Sequence, residues 1–268
     1  MTRYICETCG TEYAESERAP ESCAICQDER QYVGWQGQRW ISQADLAQKH
    51  VQRIEFERDM LALGMTPGFA IDQRAFLLET DAGNILWECL PLVTQSAVDA
   101  IEARGGLDRI IVSHPHFYGS MVSWSDAFGG VPITIHEADQ QWIQCPDPAI
   151  ELWRGDEVKL SESVNLIRCG GHFDGSTALH WARGPSLGGA LFSGDALQVA
   201  MDRSHVSFMY SYPNMVPMRR SDVAGMRERL AKHEYSDVFG YTWGLNIIGD
   251  GRKAVDQSFE RYLAAITD

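Results

Sequence analysis

The stretch RIIVSHPH, residues 109–116, is the part of the sequence that decides its fold class. Its apolar first half is typical of a short strand that is buried on both faces. It runs directly into His114 and His116, which therefore follow the carboxyl end of the predicted strand. Loops in such positions are held by the sheet beneath them and often carry binding groups. The H-x-H pair is a candidate metal site, although on its own it also fits two structural histidines.

Two more groups of the same kind follow along the chain. His172 lies in a glycine-flanked segment 56 residues after His116, and Asp195 follows another apolar strand 23 residues later. Three neutral imidazoles and one carboxylate suit Zn²⁺, Fe²⁺ or Mn²⁺. We therefore predict a single metal site that is built from His114, His116, His172 and Asp195.

The chain around these residues has the pattern of an α/β protein. From about residue 66 onward, strand and helix signals alternate, as in α/β architectures. Residues 75–79 and 85–89 are apolar runs on either side of a turn that contains Gly83, which predicts a hairpin. Periodicity alone supports no finer assignment than α/β.

Together these motifs resemble the metallo-β-lactamase superfamily over roughly residues 60–268. The superfamily pattern is a strand, H-x-H-x-D-H, a later glycine-flanked His, an Asp after a strand, and a last His near the C-terminus. The resemblance implies an αββα sandwich with the metal at the edge of its two sheets. It also implies metal-ligand roles for His114, His116, His172 and Asp195.

Two departures from the superfamily pattern fall on its second metal position. Tyr118 and Gly119 stand where the pattern has Asp-His, and residues 241–244 (YTWG) stand where the last His is expected. A phenol, a hydrogen and an indole cannot replace a carboxylate and two imidazoles as ligands. We therefore expect one ion, with Asp195 as the catalytic carboxylate and Tyr118 as a donor to a developing oxyanion.

The substrate-binding candidates come from a Met- and aromatic-rich loop, residues 202–214, and from the YTWG segment. Such a loop could cover the metal, although aromatic residues at these positions also fit plain core packing. The predicted substrate-binding residues are His205, Tyr210, Tyr212 and Trp243.

A second metal motif lies near the start of the sequence. Two C-x-x-C pairs, separated by thirteen residues, place four thiols within one short polar segment: Cys6, Cys9, Cys23 and Cys26. Each pair can hold one side of a tetrahedral ion. The segment resembles rubredoxin-like and zinc-ribbon knuckles. Its second pair lacks the Pro and Gly that are usual in redox-active rubredoxins, which favours zinc and leaves iron open at either site.

The 268 residues divide into a predicted knuckle (1–35), a connector that packs on the main domain (36–59) and the metallo-β-lactamase-like domain (60–268). The net charge of −14 disfavours nucleic acid and anionic membranes as partners. The sequence contains neither an apolar run of the roughly 18 residues that a membrane helix needs nor a visible secretory signal. We therefore expect a cytoplasmic protein that acts on a small molecule, with its oligomeric state open.

These observations predict a metal-dependent hydrolase that directs a mononuclear metal-bound hydroxide at a small ester, thioester or lactone. One alternative is a non-catalytic metal-binding or sensor module that has kept the ligand shell. Another is a mononuclear iron redox enzyme that is linked to the rubredoxin-like knuckle. A di-iron redox enzyme is disfavoured because the second set of ligands is missing.

Overall fold

The N-terminal segment folds around the two C-x-x-C pairs and is held together by a short two-stranded sheet. In this computed structural model, which describes residues 1–266, the segment contains β1 (Ile5–Cys6), α1 (Ala24–Gln27), β2 (Trp40–Ile41) and α2 (Gln43–Lys49). Strands β1 and β2 pair antiparallel, with Ile5 opposite Ile41. The side chain of Ser42 accepts a hydrogen bond from the Asp45 amide and so caps α2.

A seven-stranded sheet forms one half of the main domain, and its strands lie in sequence order. They are β3 (Val51–Glu57), β4 (Met60–Thr66), β5 (Ala75–Thr80), β6 (Gly83–Trp87), β7 (Arg109–Ile111), β8 (Ile133–His136) and β9 (Ile150–Trp153). Strands β3 to β6 are antiparallel, and β6 to β9 are parallel. Strand β3 forms the edge of this sheet, although it lies within the predicted connector.

A six-stranded sheet forms the other half, in the order β10-β11-β12-β13-β18-β19. Its strands are β10 (Glu157–Lys159), β11 (Val164–Arg168), β12 (Thr177–Trp181), β13 (Ala190–Phe192), β18 (Asp237–Phe239) and β19 (Asn246–Ile247). Two small hairpins leave this sheet between β13 and β18. They consist of β14 (Gln198–Val199), β15 (Val206–Ser207), β16 (Met209–Ser211) and β17 (Val216–Pro217).

Helices cover the outer face of each sheet. They are α3 (Gln95–Glu102), α4 (Met121–Ala127), α5 (Arg220–Leu230) and α6 (Gly251–Ala265), with 3₁₀ helices at Pro115–Phe117 and Glu137–Trp142. Buried residues of α3 and α4 pack on the seven-stranded sheet, and those of α5 and α6 pack on the six-stranded sheet. This arrangement confirms the predicted αββα sandwich. Within residues 1–266, every helix lacks the length and apolarity for crossing a bilayer.

Aromatic side chains fill the space between the two sheets. The rings of Phe192 and Phe239 stack 4.9 Å apart, and Phe76 meets both of them edge-on at 5.6 and 5.7 Å. All three side chains are buried, and burial of each one contributes about 1.5–3 kcal/mol to folding. This core fixes the sheets against each other, so that loops from both sheets can meet at one edge.

Candidate metal centres

The first part of the candidate site is the loop after β7. His114 has extended backbone angles and precedes a single 3₁₀ turn, which begins at Pro115. Proline suits this first helical position because it has no amide hydrogen to leave unpaired. The turn brings His114 and His116 to the same side, with ring centroids 5.3 Å apart. Phe117 lies against the His114 ring at 4.4 Å and restricts its orientation.

The third histidine is positioned by two glycines. Gly170 and Gly171 have φ values of +68° and +79°, which side chains rarely tolerate. A Cβ atom on Gly171 would lie 2.4 Å from the Met218 sulfur, so this position also needs the space. The His172 ring donates from Nδ1 to the Tyr210 carbonyl at 2.8 Å, which turns its Nε2 toward the other two histidines. This orienting bond is typical of metal-binding imidazoles.

Asp195 comes from the loop after β13, on the other sheet. The preceding residue, Gly194, has a φ of +52°, and a Cβ there would lie 2.4 Å from the Ser113 hydroxyl. The close approach of these two loops places Asp195 Oδ2 at 3.6 Å from His114 Nε2 and 3.8 Å from His172 Nε2. Glycine is therefore the residue that allows the two sheets to share one site.

The four side chains have the spacing that a small metal ion requires. One possible ligand atom from each of His114, His116, His172 and Asp195 lies within 4.8 Å of the others. His116 Nδ1 and His172 Nε2 lie 3.1 Å apart. Tetrahedral zinc with Zn–N distances of about 2.0–2.1 Å sets nitrogen atoms roughly 3.3 Å apart. Among the described residues, the buried atoms His114 Nε2 and Asp195 Oδ1 have no hydrogen-bond partner, so the donor set fits an ion.

Burial keeps the three imidazoles in the form that binds metal. It lowers the pKa of His114 to about 3 and that of His172 to about 4, and it lowers the pKa of His116 as well. A neutral imidazole has a free lone pair, whereas the protonated ring has none to offer. Burial also raises the pKa of Asp195 to about 6.

Glu88 supports this centre from beneath, and our sequence analysis did not identify it. Its Oε2 accepts a hydrogen bond from the Ser113 amide at 3.1 Å, directly before His114. Its side chain is buried, and burial raises its pKa to about 8. An acidic residue that interrupts the apolar run ILWEC is the signal that would have found it, because β6 and β7 are parallel neighbours.

The four thiols near the N-terminus form a second, separate cluster. Cys6 and Cys26 have their sulfurs 3.6 Å apart, as do Cys9 and Cys23. Tetrahedral zinc with Zn–S distances of about 2.3 Å sets sulfur atoms roughly 3.8 Å apart. All four are buried free cysteines, so the four-Cys knuckle that the spacing predicts is present. Gln38 Nε2 donates to Cys6 Sγ at 3.2 Å, as expected for a metal-binding thiolate.

A cavity of about 640 Å³ opens beside the His/Asp cluster. His116 and Asp195 line its inner end, and Tyr212 and Tyr241 line it nearby. Its volume is within the range of about 300–1,000 Å³ that is usual for small-molecule sites.

The predicted substrate-binding residues are placed differently from one another. Tyr212 lines the cavity, and its hydroxyl donates to the Asp195 carbonyl at 3.2 Å. The Tyr210 hydroxyl donates to Glu29 at 2.6 Å, and His205 pairs with Asp202 at 2.6 Å. Trp243 is stacked against the Arg53 guanidinium at 3.9 Å. Within the described chain, these last three side chains do not line the cavity.

Two tyrosines lie in the segments that stand where the superfamily pattern has its second-metal ligands. Tyr118 is buried, and its hydroxyl donates to the Asp139 carbonyl at 3.2 Å, outside the cavity lining of the described residues. Tyr241 lines the cavity, and its hydroxyl accepts a hydrogen bond from Gln198 Nε2 at 3.3 Å. Burial raises the pKa of Tyr241 to about 12, so its hydroxyl keeps its proton near neutral pH.

Both the sequence and the structure of this chain are similar to those of known proteins. No known family profile matches the sequence. It is 37% identical over 269 residues to the uncharacterized protein YmaE of Bacillus subtilis (strain 168), which covers 99% of this chain and 97% of that protein. Its structure resembles the DIM-1 metallo-β-lactamase exposed to ceftazidime, with a TM-score of 0.56, 12% identity and coverage of 81% and 98%. It also resembles the di-iron-bound form of TTHA1623, with a TM-score of 0.50, 18% identity and coverage of 69% and 94%.

Proposed function

Because this chain belongs to the family of Bacillus subtilis YmaE and has the metallo-β-lactamase fold, we propose that it is a metal-dependent hydrolase of a small ester, thioester or lactone. The observation that carries the proposal is the meeting of His114, His116, His172 and Asp195 at the inner end of one open cavity. A structural metal site is closed, whereas a catalytic site keeps a position open to water or substrate. The cavity supplies that opening.

The donor set supports one ion at this site. Of the residues that replace the second set of ligands, Tyr118 donates its hydrogen bond to a carbonyl and Trp243 is stacked on an arginine. Tyr241, in the same YTWG segment as Trp243, lines the cavity, and a protonated phenol is a hydrogen-bond donor. When bound, a single divalent ion would supply the Lewis acidity that makes water nucleophilic near neutral pH.

The chain's own groups have distinct roles in the proposed reaction. Asp195 Oδ1 is a buried acceptor and would take the proton of the attacking water. Tyr241 would donate its hydroxyl hydrogen to the carbonyl oxygen of the substrate as negative charge develops there. Tyr212 would hold the Asp195 backbone in place through its hydroxyl. The sequence predicts Tyr118 as this donor, but its hydroxyl donates to the Asp139 carbonyl, so we propose Tyr241 in its place. A comparison of Y241F with Y118F tests this choice.

We propose zinc as the ion at both clusters. The sulfur spacing of 3.6 Å in the four-Cys cluster and the His/Asp donor set of the second cluster both suit tetrahedral zinc. Elemental analysis of protein that is purified without added metal should find about two zinc ions per chain in a colourless sample. Iron with a visible absorption band would overturn this assignment and would favour the redox alternative.

The central test is the hydrolysis of an ester, a thioester and a lactone by wild type and by H116A. His50 offers a matched control, because its ring contacts the Pro67 carbonyl and lies outside both clusters. We expect H116A to lose about one zinc ion and at least 100-fold in kcat/KM, whereas H50A keeps both. Equal rates for wild type and H116A on a substrate that wild type hydrolyses would refute the proposal. Metal binding without turnover of any substrate would favour the sensor alternative.

A further inference from the structure

The N-terminal knuckle supplies one wall of the cavity at the metal centre. Gln31, Tyr32, Val33 and Trp35 all line this cavity, together with the loops that contain Ile71 and Tyr212. The knuckle residues thus share one cavity with His116 and Asp195. The composition of this wall therefore bears on which molecules can reach the candidate site.

The wall is attached to the loop that holds His172 and to the β16–β17 hairpin, whose Tyr210 carbonyl accepts a hydrogen bond from His172. Arg30 donates to the His172 carbonyl at 3.3 Å, and its guanidinium lies 3.9 Å from the centre of the Phe173 ring. Asn214 Nδ2 donates to the carbonyls of Glu29 and Gln31 at 2.9 and 3.0 Å. These bonds join residues far apart in sequence and fix the position of the wall.

The lining is apolar or uncharged apart from Asp195. Among the residues that the structure describes, neither lysine nor arginine lines the cavity. When the acyl group lies at the proposed metal ion, a carboxylate or phosphate at the other end of the substrate loses water without gaining a cationic side chain as partner, which is unfavourable. The net charge of −14 adds to this disadvantage for anions.

Two aromatic side chains at the mouth of the cavity are left in contact with water. Trp35 is 100% exposed and Tyr32 is 44% exposed, although both line the cavity. Trp35 lies on a tight turn in which the Gly37 amide donates to the Gly34 carbonyl at 2.8 Å. A fully exposed indole beside a cavity gains contact area when an apolar group lies against it.

We propose that the cavity binds an uncharged substrate whose apolar acyl chain lies against Tyr32 and Trp35 of the knuckle. This inference rests on the proposed hydrolase function for the reaction at the acyl group. Two observations carry it: among the described residues the cavity lining contains no lysine or arginine, and aromatic side chains are exposed at its mouth. The knuckle then serves as a specificity-determining wall in addition to its structural role.

The binding experiment uses two probes that differ in one group. The p-nitroanilides of pentanoic acid and of glutaric acid have similar lengths, but the second ends in a carboxylate. Titration calorimetry on the full-length protein as purified should show at least tenfold tighter binding of the pentanoyl probe. Equal affinity, tighter binding of the glutaryl probe, or no binding of either probe would overturn the proposal.

Variants of Trp35 and Tyr32 test whether the knuckle wall causes the preference for the pentanoyl probe. W35A and Y32A should each weaken binding of the pentanoyl probe about three- to tenfold, whereas W35R should weaken it and strengthen binding of the glutaryl probe. L187A is the matched control, because Leu187 is equally exposed but does not line the cavity. Equal affinities of W35A, Y32A and L187A for the pentanoyl probe would show that the wall does not contact the acyl chain.

Hydrolysis of the corresponding p-nitrophenyl esters separates this proposal from the proposed function. Preferential binding of the pentanoyl anilide without hydrolysis of either ester would leave the binding proposal standing and count against the hydrolase. Faster hydrolysis of the glutaryl ester than of the pentanoyl ester would support a hydrolase and refute the uncharged substrate class.

Discussion

The two ligand clusters of this protein are built in opposite ways. The four cysteines come from one short segment and are buried, and none of them lines the 640 Å³ cavity. The four ligands of the other cluster come from three loops of two sheets, and two of these ligands line the large cavity. A closed cluster stabilises the chain around it, whereas a composite cluster with an opening can bind a reactant. The contrast suggests structural and catalytic roles within the same chain.

The largest expected effect separates activity from stability at the composite cluster. We expect H172A to lower kcat/KM at least 1,000-fold, because the removal of one of three imidazoles weakens metal binding at the reacting centre. The sandwich core between the sheets is untouched, so the unfolding temperature should fall by only a few degrees. Ester kinetics and calorimetry on the same preparation provide both measurements, and a cooperative loss of folding would contradict this division of roles.

A substitution in the four-Cys cluster should have the opposite effect, a large loss of stability with a smaller effect on activity. C26A removes a ligand from a closed site, in which metal binding and local folding are coupled. We expect the loss of one zinc ion, a loss of several kcal/mol in the free energy of unfolding of the N-terminal segment, and a raised KM. C145A, which changes a buried cysteine outside both clusters, is the matched control. If C26A and C145A unfold alike, the cluster has no structural role.

A finer test asks whether the two sheets must approach closely at Gly194. In G194A, the added methyl group would collide with the Ser113 hydroxyl and shift Asp195. Small displacements of a catalytic group cost up to about 100-fold, so we expect kcat to fall about 10- to 100-fold. Gly129 has a similarly positive φ of +75° with open space around it, so G129A controls for backbone strain. Equal rates in the two variants would rule out this explanation.

The smallest expected effect distinguishes the two tyrosines. Y241F removes a hydroxyl that lines the cavity, and we expect kcat to fall about tenfold with little change in stability. Y118F removes a buried hydrogen bond to Asp139, which should cost about 1 kcal/mol of stability and leave kcat within about threefold. The reverse pattern would return the donor role to Tyr118.

The sequence predicted the parts of this molecule that depend on local pattern. The hairpin at residues 75–89 and the αββα class follow from apolar runs, a turn and a family resemblance, and the structure contains both. Strand β3 was missed because none of its seven residues is fully buried and three of them are charged, as is usual for an edge strand. Such a strand lacks the apolar run that identifies a buried one.

The candidate site divides in the same way. The ligand set was visible because each ligand follows a strand or lies between glycines. Tyr118 is buried because of the 3₁₀ turn that precedes it, and Tyr241 reaches the cavity because it follows the end of strand β18. The sequence does not indicate either orientation. The contact of Arg30 with Phe173 joins segments about 140 residues apart and has no local signature. Long-range packing of this kind has to be observed directly.

The wall at residues 31–35 has an evolutionary consequence. Its residues are separate from every predicted metal ligand, although they face the same cavity. Mutations there can therefore change which compounds are admitted without disturbing the reacting centre. We expect relatives that retain the three histidines and the aspartate but differ at these positions to catalyse the same reaction on different substrates.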